Sequence, residues 1–165
     1  MTPAPIPADD EARLRVLREL LILDTPPEER FDRLVEFAAG EFDVPIALIS
    51  LVDRERQWFK ARVGMDTCET SREISFCGHA ILQDGLFEVL DAAQDPRFAD
   101  NPLVVGAPHI RFYLGAPLIL PGGARIGTFC LIDTRPRALD ELDQALLRTL
   151  RDLAVAELTG AGGGA

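Results

Sequence analysis

The stretch from Asp95 to Leu120 restricts the fold more than any other part of the chain. It opens with turn chemistry. Asp95 can cap a short helical turn with Pro96 at its first position, and Asn101-Pro102 punctuates the chain again. From His109 the residues alternate. Ile110, Phe112, Leu114, Ala116, Leu118 and Leu120 fall on one side of an extended ribbon, and His109, Arg111, Tyr113 and Gly115 on the other. Pro121-Gly122-Gly123 then folds the chain back into a second ribbon, Arg125–Asp133. Such a strand predicts a sheet with a core on one face and, on the other, a small-molecule cleft roofed by a proline-pinned loop.

The flanking segments supply the layers. Asp9 to Leu23 reads as an amphipathic helix with Leu14, Leu17, Leu20 and Leu21 at helical spacing. Thr25-Pro26-Pro27-Glu28 has the form of a capping box opening a second helix, whose stripe is Phe31, Leu34, Val35, Ala38 and Phe42, with Gly40 marking its end. Pro45–Asp53 is almost continuously apolar, as a strand covered on both faces must be, and Gln57–Val63 alternates as its antiparallel partner. Gly64 to Glu73 reads as a polar loop. Ser75 caps a short helix ending near Asp84-Gly85, Phe87–Asp91 is a short strand, and Ala138–Leu158 closes the domain as a long helix. On that last helix Leu139, Leu142, Leu146, Thr149, Leu153 and Ala156 form a near-heptad seam. The expected class is α+β: a central antiparallel sheet of five to six strands, N- and C-terminal helices on one face and a loop- and helix-covered cleft on the other. Residues 1–8 are Pro-rich and expected to be disordered, residues 9–158 form one domain, and 159–165 form a flexible Gly-rich tail.

Composition removes several classes of partner. Net charge is −10 with a pI near 4.6, which disfavours nucleic acid and anionic membrane surfaces. No apolar run approaches membrane-spanning length and the first residues lack a signal peptide's pattern, so the expectation is a cytoplasmic protein. The three cysteines, Cys68, Cys77 and Cys130, form no paired motif and read as free thiols. Two distant histidines give no metal-ligand spacing.

Four segments together resemble a GAF domain: Asp95-Pro96-Arg97-Phe98, Ile110-Arg111-Phe112-Tyr113 with Gly115-Ala116-Pro117-Leu118, Ser75-Phe76-Cys77-Gly78-His79-Ala80, and Gly127-Thr128-Phe129-Cys130-Leu131-Ile132-Asp133. The similarity runs from about Leu20 to Leu158. It is nearest to the subgroup at the input end of bacterial sensor kinases and cyclic-dinucleotide enzymes. The resemblance implies a sensory domain that binds a small metabolite and signals to a partner protein, with a homodimer formed through the terminal helices.

The candidate ligand-binding residues are Trp58, Phe59, Phe76, Cys77, His79, Asp95, Phe98, Arg111, Tyr113, Cys130 and Asp133. A three-residue hairpin loop would set Arg111 opposite Asp133, either as a ligand-facing pair or as a structural ion pair at the sheet end. Trp58, Lys60 and Arg62 share one strand face, as a cleft wall, a partner surface or an amphipathic strand with snorkelling stems. Cys77 and Cys68 admit packing, redox catalysis or a bilin thioether. Free methionine-(R)-sulfoxide reductases are GAF proteins, but their further cysteine has no counterpart in Phe87–Asn101, and bilin proteins place Cys directly before His where Gly78 intervenes here. No cyclic-nucleotide motif is present, and only His79 and His109 offer an axial ligand to haem. No cofactor is therefore assigned, and the expectation is a non-enzymatic sensor. A reductase-like enzyme and a ligand-free dimerisation module are the alternatives.

Overall fold

The computed structural model describes residues 1–160; the expected tail beyond Gly160 lies outside the described residues. Six antiparallel strands form one sheet: β1 (Ile46–Val52), β2 (Arg56–Val63), β3 (Glu69–Ser71), β4 (Phe87–Val89), β5 (Phe112–Ile119) and β6 (Arg125–Asp133), in the order β3-β2-β1-β6-β5-β4. The helices are α1 (Asp10–Glu19), α2 (Glu29–Glu41), α3 (Phe76–Ala80), α4 (Pro102–Val105) and α5 (Glu141–Thr159). The class is α+β, as the alternation of apolar strands and amphipathic helices predicts.

The central strands β1, β6 and β5 are buried along almost their whole length because both faces are covered. On one face α1, α2 and α5 pack Leu14, Leu17, Phe31, Val35, Leu147 and Leu150 against Phe112, Leu114, Phe129 and Leu131. On the other, α3, α4 and the loops between them place Phe76, Ile81, Phe98 and Val104 over Leu48, Tyr113, Cys130 and Ile132. Burying a Leu- or Phe-sized side chain is worth about 1.5–3 kcal/mol, so two such layers hold the sheet firmly.

Several expectations about local structure change. The second helix starts at Glu29 instead of being capped by Thr25: two prolines hold residues 26 and 27 outside it, and the Thr25 hydroxyl donates to the Ile22 carbonyl. Part of the expected polar loop is strand β3, which pairs with Arg56–Trp58. Ser75 does cap its helix, its Oγ accepting the Gly78 N–H at 3.0 Å, but that helix closes at Ala80.

Two bulges shift the faces. Leu120 N–H bonds the Ala124 carbonyl around a three-residue loop, but an irregularity between Leu118 and Ile119 then shifts the ladder by one residue. Phe112 therefore opposes Asp133 and Tyr113 opposes Ile132. A second irregularity, opposite Ile49 and Ser50, inserts Lys60 as an extra residue on β2 and breaks its alternation, so that Trp58 and Ala61 both face the helices. Ile110 precedes β5 and joins the cleft-side cluster, not the helix-side core assigned by alternation.

The stretch expected to be disordered at the amino end is laid down on the cleft-side cover. Thr2 N–H donates to the Arg97 carbonyl at 3.1 Å, Ala4 N–H to the Glu73 carbonyl at 3.2 Å, and Ala4 is buried.

Candidate functional site

Period-2 alternation on the central strands sends Leu48, Tyr113, Cys130 and Ile132 to the cleft side, where α3 and the Asp95–Phe98 turn supply the cover. Six of the predicted residues meet there: Phe59, Phe76, Cys77, Phe98, Tyr113 and Cys130 share one buried cluster. Phe76 stacks on Phe98 with centroids 4.1 Å apart and planes within 9°, and sits 5.3 Å from the Tyr113 ring. His79 meets Phe98 edge-on at 4.8 Å, and its Nε2 lies 3.3 Å from the Thr2 carbonyl. Burial holds that imidazole below its ordinary pKa, against the opposing pull of the Thr2 carbonyl. Asp95 stays on the cover. It grips Arg97 at 2.7 and 3.0 Å, and this contact, ahead of the opposing effect of burial, lowers its pKa. The Arg97 guanidinium in turn lies over the Phe87 and Phe98 rings at 5.1 and 5.3 Å.

The floor is polar. Thr128 Oγ1 lies 3.0 Å and the Tyr113 hydroxyl 3.2 Å from Cys77 Sγ, and all three are buried. Burial opposes ionisation of Cys77, but the Cys130 thiol and the two hydroxyls bring its pKa to about 7. Burial, and then the neighbouring Cys77, push Cys130 up. The Tyr113 ring occupies the space that a Gly115 side chain would take, which is why a glycine stands two residues along the same face.

The remaining predicted residues lie elsewhere. Arg111 does not pair with Asp133: its Nη1 donates to the carbonyls of Val104 and Ile110, each at 3.0 Å. Asp133 instead accepts the Thr134 N–H and binds Arg137 at 3.0 Å and Arg135 at 3.4 Å. Trp58 faces the helices. Lys60 is buried on the same side, its Nζ bonded to Glu28 at 2.6 Å, to the Pro26 carbonyl at 2.7 Å and to Thr25 at 2.8 Å. Residues that sequence reasoning did not single out include Phe87, Arg97 and Thr128. Thr128 was within reach, because period-2 counting from Cys130 puts it on the same face.

The interior left between cover and floor is about 10 Å³, lined by Leu48, Gln57, Met65, Phe76, Tyr113 and Ile132 among others. That is room for one water at most. A larger groove of about 520 Å³ runs along the edge of β2, past Asp24, Thr25, Asp32, Trp58, Lys60 and Cys68. Cys68, exposed in this groove, and Cys77, buried on α3, line different spaces. Among the described residues no cluster of three or more metal-ligating side chains occurs, and no helix is long and apolar enough to cross a membrane.

A sheet closed by helices on one face and by a short helix and loops on the other defines a small α+β domain. Residues 26–158 match the GAF domain family, and the chain belongs to it. It is 45% identical over 159 residues to a cyclic di-GMP phosphodiesterase of Pseudomonas aeruginosa; the match takes in 96% of this chain and 27% of that protein. The chain thus spans about a quarter of the length of this relative. Among solved structures it resembles the GAF domain of a Coxiella burnetii phosphoenolpyruvate-protein phosphotransferase (TM-score 0.64, 16% identity, 90% of this chain and 96% of that one). It also resembles the free methionine-R-sulfoxide reductase of Neisseria meningitidis (TM-score 0.62, 19% identity, 98% of each chain). At these identities the structural likeness is one of fold.

Proposed function

We propose that the chain is a small-molecule-sensing regulatory domain of bacterial signal transduction, serving the turnover of a cyclic dinucleotide without performing it. The observation that carries this reading is the 45% identity, sustained over nearly the whole chain, to part of a protein named as a cyclic di-GMP phosphodiesterase. The aromatic cleft face, with hydroxyls and a thiol on its floor, is the sensing surface in this reading. Its ligand is a metabolite that displaces one of the packed rings. The output is a catalytic unit, joined to the domain or bound as a partner protein in the cytoplasm.

A second feature favours assembly as a homodimer. Only part of the predicted seam covers the sheet: Leu139 is buried and Leu146 packs on the core beside Leu147, Leu150, Ala154 and Leu158, while Leu142 and Leu153 stand 79% and 49% exposed. A parallel pair of α5 helices would bury this outer seam and pass a change in one domain to its partner. The reductase alternative needs Cys68 and Cys77 to act together, and their separate locations speak against it.

The decisive experiment replaces the matching segment of the Pseudomonas relative with this chain. Phosphodiesterase activity of the chimera is then compared with that of the same enzyme lacking the segment, with and without host metabolite extract. The reading expects activity that depends on the inserted domain and responds to the extract. Identical activity in all arms would refute it, and consumption of free methionine sulfoxide by the isolated chain would favour the reductase.

A further inference from the structure

We propose that residues 2–7 are a latch that holds the cleft cover shut, so that a ligand reaches the aromatic face only when the latch lifts. The inference rests on the reading of that face as the sensing surface.

The segment is Thr-Pro-Ala-Pro-Ile-Pro. Prolines at 3, 5 and 7 hold it extended and remove alternate N–H donors, leaving those of Thr2, Ala4 and Ile6. Two of these three find acceptors on the cover: Thr2 N–H on the Arg97 carbonyl and Ala4 N–H on the Glu73 carbonyl. The Thr2 carbonyl is met by His79 Nε2. Ala4 is 6% exposed, while Ile6 is 61% exposed and contributes little. The seat is shaped for this. A side chain at Gly78 would place its Cβ 2.6 Å from that of Ala4, so glycine in α3 is what lets the segment lie down.

The attachments fall on two separate pieces: the continuous stretch Arg72–Ala80, with Glu73 in its 3-10 turn and α3 following Ser75, and the turn carrying Arg97. Those pieces supply Phe76, His79 and Phe98, whose rings fill the face. The cleft interior, at about 10 Å³, admits no metabolite while they stay in place. Entry therefore requires the pieces to part, and residues 2–7 tie them together. The tie itself is slight, with a few hydrogen bonds and one buried methyl, so it opens in fluctuations far short of global unfolding.

The test is Ala4→Asp in the full chain, which sets a carboxylate against Gly78 and leaves the rings of the cleft face unaltered. Thr2→Pro, which deletes the donor to Arg97 in a segment already held extended by prolines, is the companion should Ala4→Asp fail to fold. Hydrogen exchange and ANS fluorescence are read beside a melting curve that checks cooperative folding. Amides of Phe76–Ile81 are expected to exchange about 10-fold faster or more, with ANS emission rising several-fold, while β5 and β6 keep their protection. The latch is overturned if residues 2–7 come free with no change in α3 exchange or ANS emission. It is equally overturned if the wild-type Thr2 and Ala4 amides exchange as fast as unstructured peptide. A metabolite thermal-shift panel on both proteins separates the two ideas: no ligand for either defeats the sensing reading alone, since exchange has already decided the latch.

Discussion

The backbone N–H of Arg111 donates to the carbonyl of Asp133 at 2.9 Å, yet their side chains never meet. The extra residue at the β5–β6 bulge separates them. It leaves the guanidinium to cap the carbonyls of Val104 and Ile110 and the carboxylate to hold the Thr134–Arg137 turn. The two residues therefore contribute to stability independently.

Asp133→Ala leaves two backbone N–H groups and two arginines without this acceptor and is expected to cost about 2–3 kcal/mol. Arg111→Ala is expected to cost about 1 kcal/mol, and the double variant to lose the sum of the two. Urea denaturation of all three checks this; a coupling above about 1 kcal/mol would mean that the side chains interact after all.

Phe98 lies between Phe76 and the edge of His79 and is fully buried. Phe98→Ala is expected to destabilise by about 3–5 kcal/mol and to leave a ring-sized void. Indole or benzene should then raise the melting temperature of the variant and leave the wild type unchanged. An equal response of both proteins would mean that the packed rings do not control access.

Asp10 is the centre of a buried ion cluster. Arg72 reaches it at 2.8 and 3.0 Å and Arg13 at 2.9 Å, while Arg13 also donates to the Val52 carbonyl. Burial alone would raise the carboxyl pKa, but the hydrogen bonds from Arg72 and then Arg13 outweigh it and hold it below the ordinary value. The stabilisation is thus complete above the unfolded value of about 4 and is lost as pH falls through the lower folded value. Asp10→Asn, which strands two buried guanidiniums, should cost about 3–5 kcal/mol at pH 7 and flatten the acid limb of the stability curve. Urea midpoints between pH 2 and 7 provide the measurement.

On α5, Leu142→Asp and Leu153→Asp should shift the protein to monomer in sedimentation at micromolar concentration with little change in urea midpoint. Leu150→Asp, on the sheet-facing stripe, should unfold the domain by burying an unpaired charge. A wild type that sediments as a monomer at every concentration would remove the dimer from the proposal.

The layers were legible because each follows from one periodicity. The unbroken apolar run at β1, the alternation in β5 and the 3.6-residue stripe on α2 all mark buried faces, and β6 begins and ends where its turn residues place it. Ser75 was legible as a cap because its chemistry is local, and Asn101, read only as chain punctuation, caps α4 in the same way. What sequence could not yield were non-local offsets. Nothing in the composition of β6 or β2 announces a bulge, and each one-residue shift moved a predicted pair or face, Arg111 with Asp133 in one case and Lys60 with Arg62 in the other. Residues 1–8 read as disordered because prolines suit loose chain. Their order depends on carbonyls at Glu73 and Arg97 and on Gly78, which are distant in sequence.

The thread that starts over α3 is the same one that enters α1, whose Leu14 and Leu17 pack on the opposite side of the sheet. From Ala4 to Asp10 it can stretch to about 20 Å at most, and Pro5 and Pro7 stiffen it. A turn closed by the Asp10 N–H on the Pro7 carbonyl takes up part of that length before α1 begins. The two surfaces are therefore joined by a single short tether that needs no shift of the strands between.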